Sequence, residues 1–327
     1  MVKLEIKEND ANQRLDRFLR KYFRKASLSM IYKMIRKDVK VNGRRAKEDT
    51  VLSVGDELFF YMTEEMFGEL SATEKRKPVK KQFKIAYEDD NILIVNKPRG
   101  LIIHGDSHEK KNTLANQVAG YLQETGQYDP SEEKTFTPSP VNRLDRNTTG
   151  LVIFGKNADA LRMLTRLIRE RSCIEKYYMT VVAGCFDKSV VFGDRLVKDS
   201  RTNTVEVTES DLGKEALTYV EPVKAGRNFS IVEIKLVTGR THQIRVHLSH
   251  AGFPLLGDPK YGSSRANRQA EKMGINTQLL HAYKLEFRDM PHELEALEGR
   301  VITAPLPDEF RKIEKIISEG TLKKGHR

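Results

Sequence analysis

The apolar run Leu151-Val152-Ile153-Phe154, closed at its two ends by Gly150 and Gly155, predicts a buried strand. Directly before it stands Val141-Asn-Arg-Leu-Asp-Arg-Asn-Thr-Thr149, so a charged turn is fixed at the mouth of a core. In that turn Arg143 and Arg146 bracket a lone carboxylate, Asp145. Guanidinium groups within a few ångströms favour the ionised form of such an acid. An ionised carboxylate can serve as a nucleophile or stabilise developing positive charge. A plain Arg/Asp surface turn ahead of a strand has the same residues, so the stretch alone leaves both readings open.

The rest of the chain narrows the choice. Its 327 residues are enough for one large domain and a small one. A net charge of +11 makes polyanions the expected partners, nucleic acid or an anionic membrane surface. Apolar runs stay far short of a membrane span, and the N-terminus carries no signal or transit pattern. Cys173 and Cys185 form neither a metal spacing nor a redox pair, which fits a reducing cytoplasm.

Between residues 12 and 61, 13 Lys and Arg stand against 6 Asp and Glu, a net of +7 on a short segment. Leu15, Phe18, Leu19 and Tyr22 recur at helical spacing, with Arg14, Arg17 and Arg20 on the other faces. Ser27 is placed to cap a second helix that turns Ile31, Met34 and Ile35 inward and Lys33 and Arg36 outward. A strand, Val39 to Val41, then meets Asn42-Gly43, a strong hairpin signal, with Arg44 just beyond it. This gives a basic unit over 1–62, and the polar stretch 63–82 reads as a linker that lets two units move. From 83 to 316 short strands interrupted by a few helices predict an α+β domain on a largely antiparallel mixed sheet. Residues 126–140, with three prolines, read as a long exposed loop, and 317–327 as a basic tail.

Several chemistries fail on inspection. Gly150 to Asn157 nearly spells a phosphate-binding loop, but Asn157 replaces the required Ser or Thr and the interior is a strand. His242, His247 and His250 share one predicted helix without a His-Glu-x-x-His pattern, so they read as polar residues at a binding surface. A glycosidase would need a second acid near Asp145, and its neighbours are arginines. What remains is Thr238-Gly-Arg240-Thr-His242-Gln-Ile-Arg245. Thr241 is read as its helix cap, and Arg240 sits at a positive helix end, which favours an anion there. A core-facing Arg245 needs a buried partner, and Asp145 is the candidate.

Two resemblances follow. The helix–helix–hairpin unit, with its Val39-x-Val41-Asn42-Gly43 strand and turn, resembles the S4 RNA-binding domain. It implies RNA contacts at Arg14, Arg17, Arg20, Lys33, Arg36 and Arg44. The segments Arg143-Leu-Asp-Arg-x-Thr-Thr-Gly-Leu151, Lys176-Tyr177, Thr238 to Leu248, Gly257-Asp258 and Tyr261-Gly262 resemble the RluA-type pseudouridine synthases. The ribosomal large-subunit members with an S4 domain are the most similar kind.

That family turns uridine in RNA into pseudouridine with no cofactor, by breaking the C1′–N1 bond and rejoining the uracil through C5. The resemblance implies Asp145 as the catalytic carboxylate, Arg245 as its partner and Tyr177 against the target base. Arg143, Arg146, Arg240 and His242 would meet RNA, Arg143 holding a flipped-out uridine and the 126–140 loop gripping the strand. Asn142 stands where the family motif has His, a change at the point where the loop meets RNA. The expected substrate is a structured stem-loop of 23S ribosomal RNA and the enzyme a monomer, with no metal, nucleotide or membrane involved. A transfer RNA substrate and a non-catalytic RNA-binding or assembly factor are the rival readings.

Overall fold

The computed structural model describes residues 1–72, 79–199 and 201–322. The N-terminal unit has its own apolar core, in which Leu15, Phe18, Leu19, Ile31, Met34, Ile35 and Phe60 are buried. Its helices Leu15–Tyr22 and Leu28–Lys37 lie beside a four-stranded sheet ordered Val2–Glu5, Glu57–Phe60, Val39–Val41, Arg44–Arg45. The Ser27 side chain accepts the Met30 N–H and caps the second helix. Asn42 and Gly43 turn the hairpin with φ of 51° and 75°, the left-handed pair that a two-residue hairpin turn requires.

The stretch read as a linker is partly structure. Thr63 caps a helix, Glu64–Ser71, and Phe67 packs against Tyr22, Phe23 and Phe60 with ring centroids 5.2–5.8 Å away. Its charged surface masked one aromatic anchor. Residues 73–78 of that stretch lie outside the described residues.

Gln13–Arg14 and Val51–Leu52 pair as a separate two-stranded ribbon, and the strands from Lys84 onward form an 11-stranded sheet. Along its main path the order is Thr204–Thr208, Val190–Asp199, Lys214–Lys224, Phe229–Leu236, Ile174–Ala183, Leu280–Phe287, Thr149–Gly155, Ile92–Lys97, Lys84–Glu88. Every neighbouring pair is antiparallel except Thr149–Gly155 with Leu280–Phe287, which makes the sheet mixed. At that parallel junction Gly150 (φ 110°) lies opposite Ala282, whose backbone leaves no room for a β-carbon. The motif glycine is therefore required by the strand that carries the charged turn. The long strand Val190–Asp199 has no alternating pattern and is not apparent from the sequence.

Both sheet faces are covered, one by the helices Leu114–Glu124 and Gln243–His250 and the other by the helix Asp308–Leu322. That last helix corrects the tail boundary at 317: Ile317 is buried with Phe310 and Ile313. Residues 323–327 lie outside the described residues. The 126–140 segment is not a free loop either. Tyr128, Thr135, Phe136 and Pro138 are buried, and residues 132–135 contact the N-terminal unit. Prolines and polar residues suggested exposure, but the apolar pair Tyr128 and Phe136 roots the segment in the main core. Among the described residues no helix is long and apolar enough to cross a membrane.

Candidate active site

Asp145 sits at the head of the central strand with 30% of its side chain exposed. The turn behind it is tied by its backbone: Thr148 N–H donates to Asp145 O at 3.1 Å. The Arg146 carbonyl accepts both Gly100 N–H and Lys97 Nζ. Lys97 is wholly buried, and its three ammonium protons match three carbonyls, of Pro98, Leu101 and Arg146, at 2.8–3.0 Å. Burial pushes its pKa down to about 7, and the Asp145 charge pulls the other way. Asn142, also buried, grips the strand by donating to Leu151 O and accepting Ile153 N–H. Its amide therefore fixes the turn from within.

Arg245 comes from the helix Gln243–His250 and meets Asp145 across 100 residues of sequence. Its Nη1 donates to Asp145 Oδ2 at 3.0 Å, while Nε and Nη2 fork onto Asp258 at 2.7 and 2.8 Å. Asp258 is inaccessible to solvent and also accepts the Lys260 and Tyr261 N–H groups. Burial works against the guanidinium charge, but Asp258 and Asp145 outweigh it and its pKa is raised. Two of the three guanidinium contacts thus hold Arg245 still, and the third aims at Asp145.

His242 lies 3.9 Å from Asp145 Oδ2 through Nε2. The Tyr261 hydroxyl accepts Val205 N–H at 2.8 Å and shares a hydrogen bond with His242 Nδ1, also at 2.8 Å. Burial depresses the His242 pKa, against the pull of Asp145. His242, with φ 54°, heads the helix in place of Thr241. No side chain caps this helix, and Gln243 Oε1 instead accepts Thr238 Oγ1–H and Arg240 N–H, tying the turn that leads into it. The three histidines do not converge: His247 bonds Thr218 and His250 is exposed.

A family model described as RNA pseudouridylate synthase matches residues 91–250, a span that contains Asp145 and Arg245. "Ribosomal large subunit pseudouridine synthase C" of Vibrio vulnificus is 32% identical over 315 residues, covering 95% of this chain and 94% of that protein. The chain belongs to the RNA pseudouridylate synthase family. An uncharacterized RNA pseudouridine synthase of Bacillus subtilis is 30% identical and covers 98% of this synthase and 99% of its own length. In fold, the synthase is similar to human RNA Pseudouridylate Synthase Domain Containing 4, with TM-score 0.53 at 22% identity, covering 68% of this chain and 88% of that one.

The structure corrects two expectations about the site. Arg143 and Arg146 do not clamp Asp145. Arg146 pairs with Asp106 at 2.7 Å, and Arg143 is exposed, with its charge felt at His104. Tyr177 is on the wrong face of its strand: its hydroxyl donates to Glu175 and its ring lies under Lys284 Nζ at 3.9 Å. Its neighbour Tyr178 packs in the core with Leu144 and Ile244, and burial together with the Asp145 charge raises its pKa far above the usual phenol range. One residue along a strand reverses the face. The strand is buried on both sides beyond this point, so Tyr-Tyr-Met-Thr-Val-Val shows no alternation. Polar Glu175, two residues before Tyr177 on the same face, was the available signal. Lys97, Asp258 and Tyr261 were visible only as parts of motifs.

The remaining candidates lie outside this cluster. Arg240 Nε donates to Glu215 O, at the rim. Arg14 is occupied by Asp16 at 3.1 Å. Arg17, Arg20, Lys33, Arg36 and Arg44 are exposed on the N-terminal unit, with no ion pair among the described residues.

Proposed function

We propose that this synthase isomerises uridine in ribosomal RNA in the cytoplasm, with Asp145 as the catalytic carboxylate. The carrying observation is the half-open Asp145 held by a buried guanidinium that is itself locked on Asp258. A duplex uridine cannot reach such an acid until it leaves its stack, which costs a few kcal/mol. The C1′–N1 bond then breaks while Asp145 stabilises cationic character at C1′, by direct attack or as a fixed anion. The uracil turns, C1′ bonds to C5, the C5 proton leaves and N1 gains one, so no atom is lost overall. Tyr178 stays a neutral phenol and supports the ring by contact. The names of the Vibrio relatives support ribosomal RNA as the substrate class.

The tyrosine reassignment has a direct test. An aromatic contact to a base is worth about 1–3 kcal/mol, so Tyr178→Leu lowers kcat/KM by roughly tenfold or more. Tyr177→Leu leaves it within about twofold, because that ring faces away from Asp145. Tritium release from uridine labelled at C5, on variants whose fold is checked by circular dichroism, measures both. The opposite ranking contradicts the assignment.

The exposed cations of the N-terminal unit fit the phosphate contacts of an S4-type domain. Replacing Arg17, Arg20, Lys33, Arg36 and Arg44 by Gln should weaken RNA binding. The slope of log Kd against log salt should flatten by roughly 0.7–0.9 for each phosphate that is no longer neutralised. An unchanged slope in filter binding would leave that face a solubility device.

A further inference from the structure

The N-terminal unit meets the sheet domain through contacts that the reaction does not use. Asn9 works in both directions: Nδ2 donates to Glu133 Oε2 at 2.5 Å, and Oδ1 accepts the Ala158 N–H at 2.8 Å. Ala158 opens the helix Ala158–Glu170, so an N–H without a partner in its own helix is satisfied from the other unit. Asp10 and Thr135 are 8% and 6% exposed, and the Thr135 hydroxyl donates to Asp10 Oδ1. Gln13 Nε2 closes on Asp10 O at 2.7 Å. Around this centre Lys7 Nζ meets Glu132 at 3.0 Å and Arg24 donates to Lys134 O at 3.2 Å. Lys134 Nζ in turn stands 5.0 Å over the Tyr22 ring.

Polar contacts between domains ordinarily allow them to move. Here the buried donors and acceptors are matched in one register only. A small slip would leave Asp10, Thr135 and the Ala158 N–H buried without partners, the costly way to lose a hydrogen bond. The same segment is anchored on its other side by Tyr128 and Phe136, deep in the main core.

We infer that residues 129–135 form a clasp that holds the N-terminal unit in one pose, so that its cationic helices and Asp145 read RNA as a single surface. The inference rests on the RNA reading above and deepens it. The pose, and not a flexible tether, selects RNAs whose structure spans the distance from the basic helices to the target uridine. Asn9, Asp10, Glu133 and Thr135 are then positioning residues for specificity and take no part in the chemistry.

Two experiments test the clasp. In a chain with Cys173→Ser and Cys185→Ser, Lys7→Cys and Glu132→Cys are joined by a short cleavable bis-maleimide. The bridged enzyme should turn over a long structured RNA within about twofold of the unbridged one, because the bridge fixes the working pose. Activity that drops on bridging and returns on cleavage overturns the inference. Conversely, Asn9→Ala with Thr135→Val should raise KM for the long RNA about tenfold through a lower effective concentration, with kcat unchanged. Turnover of a minimal hairpin that offers only the target loop should not change. Faster amide exchange at Ala158 shows that the clasp has opened; if KM on the long RNA then stays the same, the inference fails. The minimal hairpin separates the two readings, since the site reading depends on its turnover and the clasp on the long RNA alone.

Discussion

Asp145→Asn should abolish pseudouridine formation, with a loss of about 10⁴-fold or more in single-turnover tritium release, while Kd for RNA changes by less than about threefold. The substitution keeps the size and hydrogen-bonding outline of the side chain and removes only its charge. Arg245 still has Asp258 to pair with, so the fold around the site survives. No phosphate contact is removed, which is why affinity persists. An anion positioned where sugar cation character develops cannot be replaced by a neutral amide. Residual turnover near the wild-type level would move the chemistry elsewhere.

Arg245→Met carries the second large effect, and it acts on stability as well as on rate. The substitution strands Asp258, which is inaccessible to solvent and would keep only the Lys260 and Tyr261 N–H groups. Breaking a buried pair from one side costs about 3–5 kcal/mol. Urea unfolding should show that loss in the midpoint. Adding Asp258→Leu removes the stranded charge, so the double variant should recover most of the stability and none of the activity. If the double variant regains turnover, Arg245 serves the fold and does not aim Asp145.

Much of this architecture is legible in the sequence where local physics decides. Ser27, Thr113 and Asn157 each cap the helix they precede, and Asn42-Gly43 turns its hairpin. The need of a core-facing Arg245 for a buried partner is met by Asp258, while Asp145, the expected one, is 30% exposed and reached by a single hydrogen bond. The second carboxylate of the clamp is harder to see, since Asp258 sits in a loop and its burial is a tertiary fact. The Tyr177 error has the same origin: a strand packed on both faces carries no alternation from which to read its phase. The arginines next to Asp145 in sequence point away from it, because a turn directs neighbouring side chains apart and leaves the pairing to a distant helix. In the segment 126–140 composition described the backbone and missed two aromatic anchors.

If the carboxylate of Asp145 makes pseudouridine at defined positions of cellular RNA, its charge must be needed in the cell. Carbodiimide treatment and primer extension on RNA from cells lacking the gene, with either the wild-type or the Asp145→Asn gene returned, tests it directly. One or more modified uridines of the large ribosomal RNA should vanish with the gene, return with the wild type and stay absent with Asp145→Asn. Restoration by the Asn variant would take the chemistry away from Asp145, and loss of a transfer RNA site with every ribosomal position intact would move the substrate from ribosomal to transfer RNA.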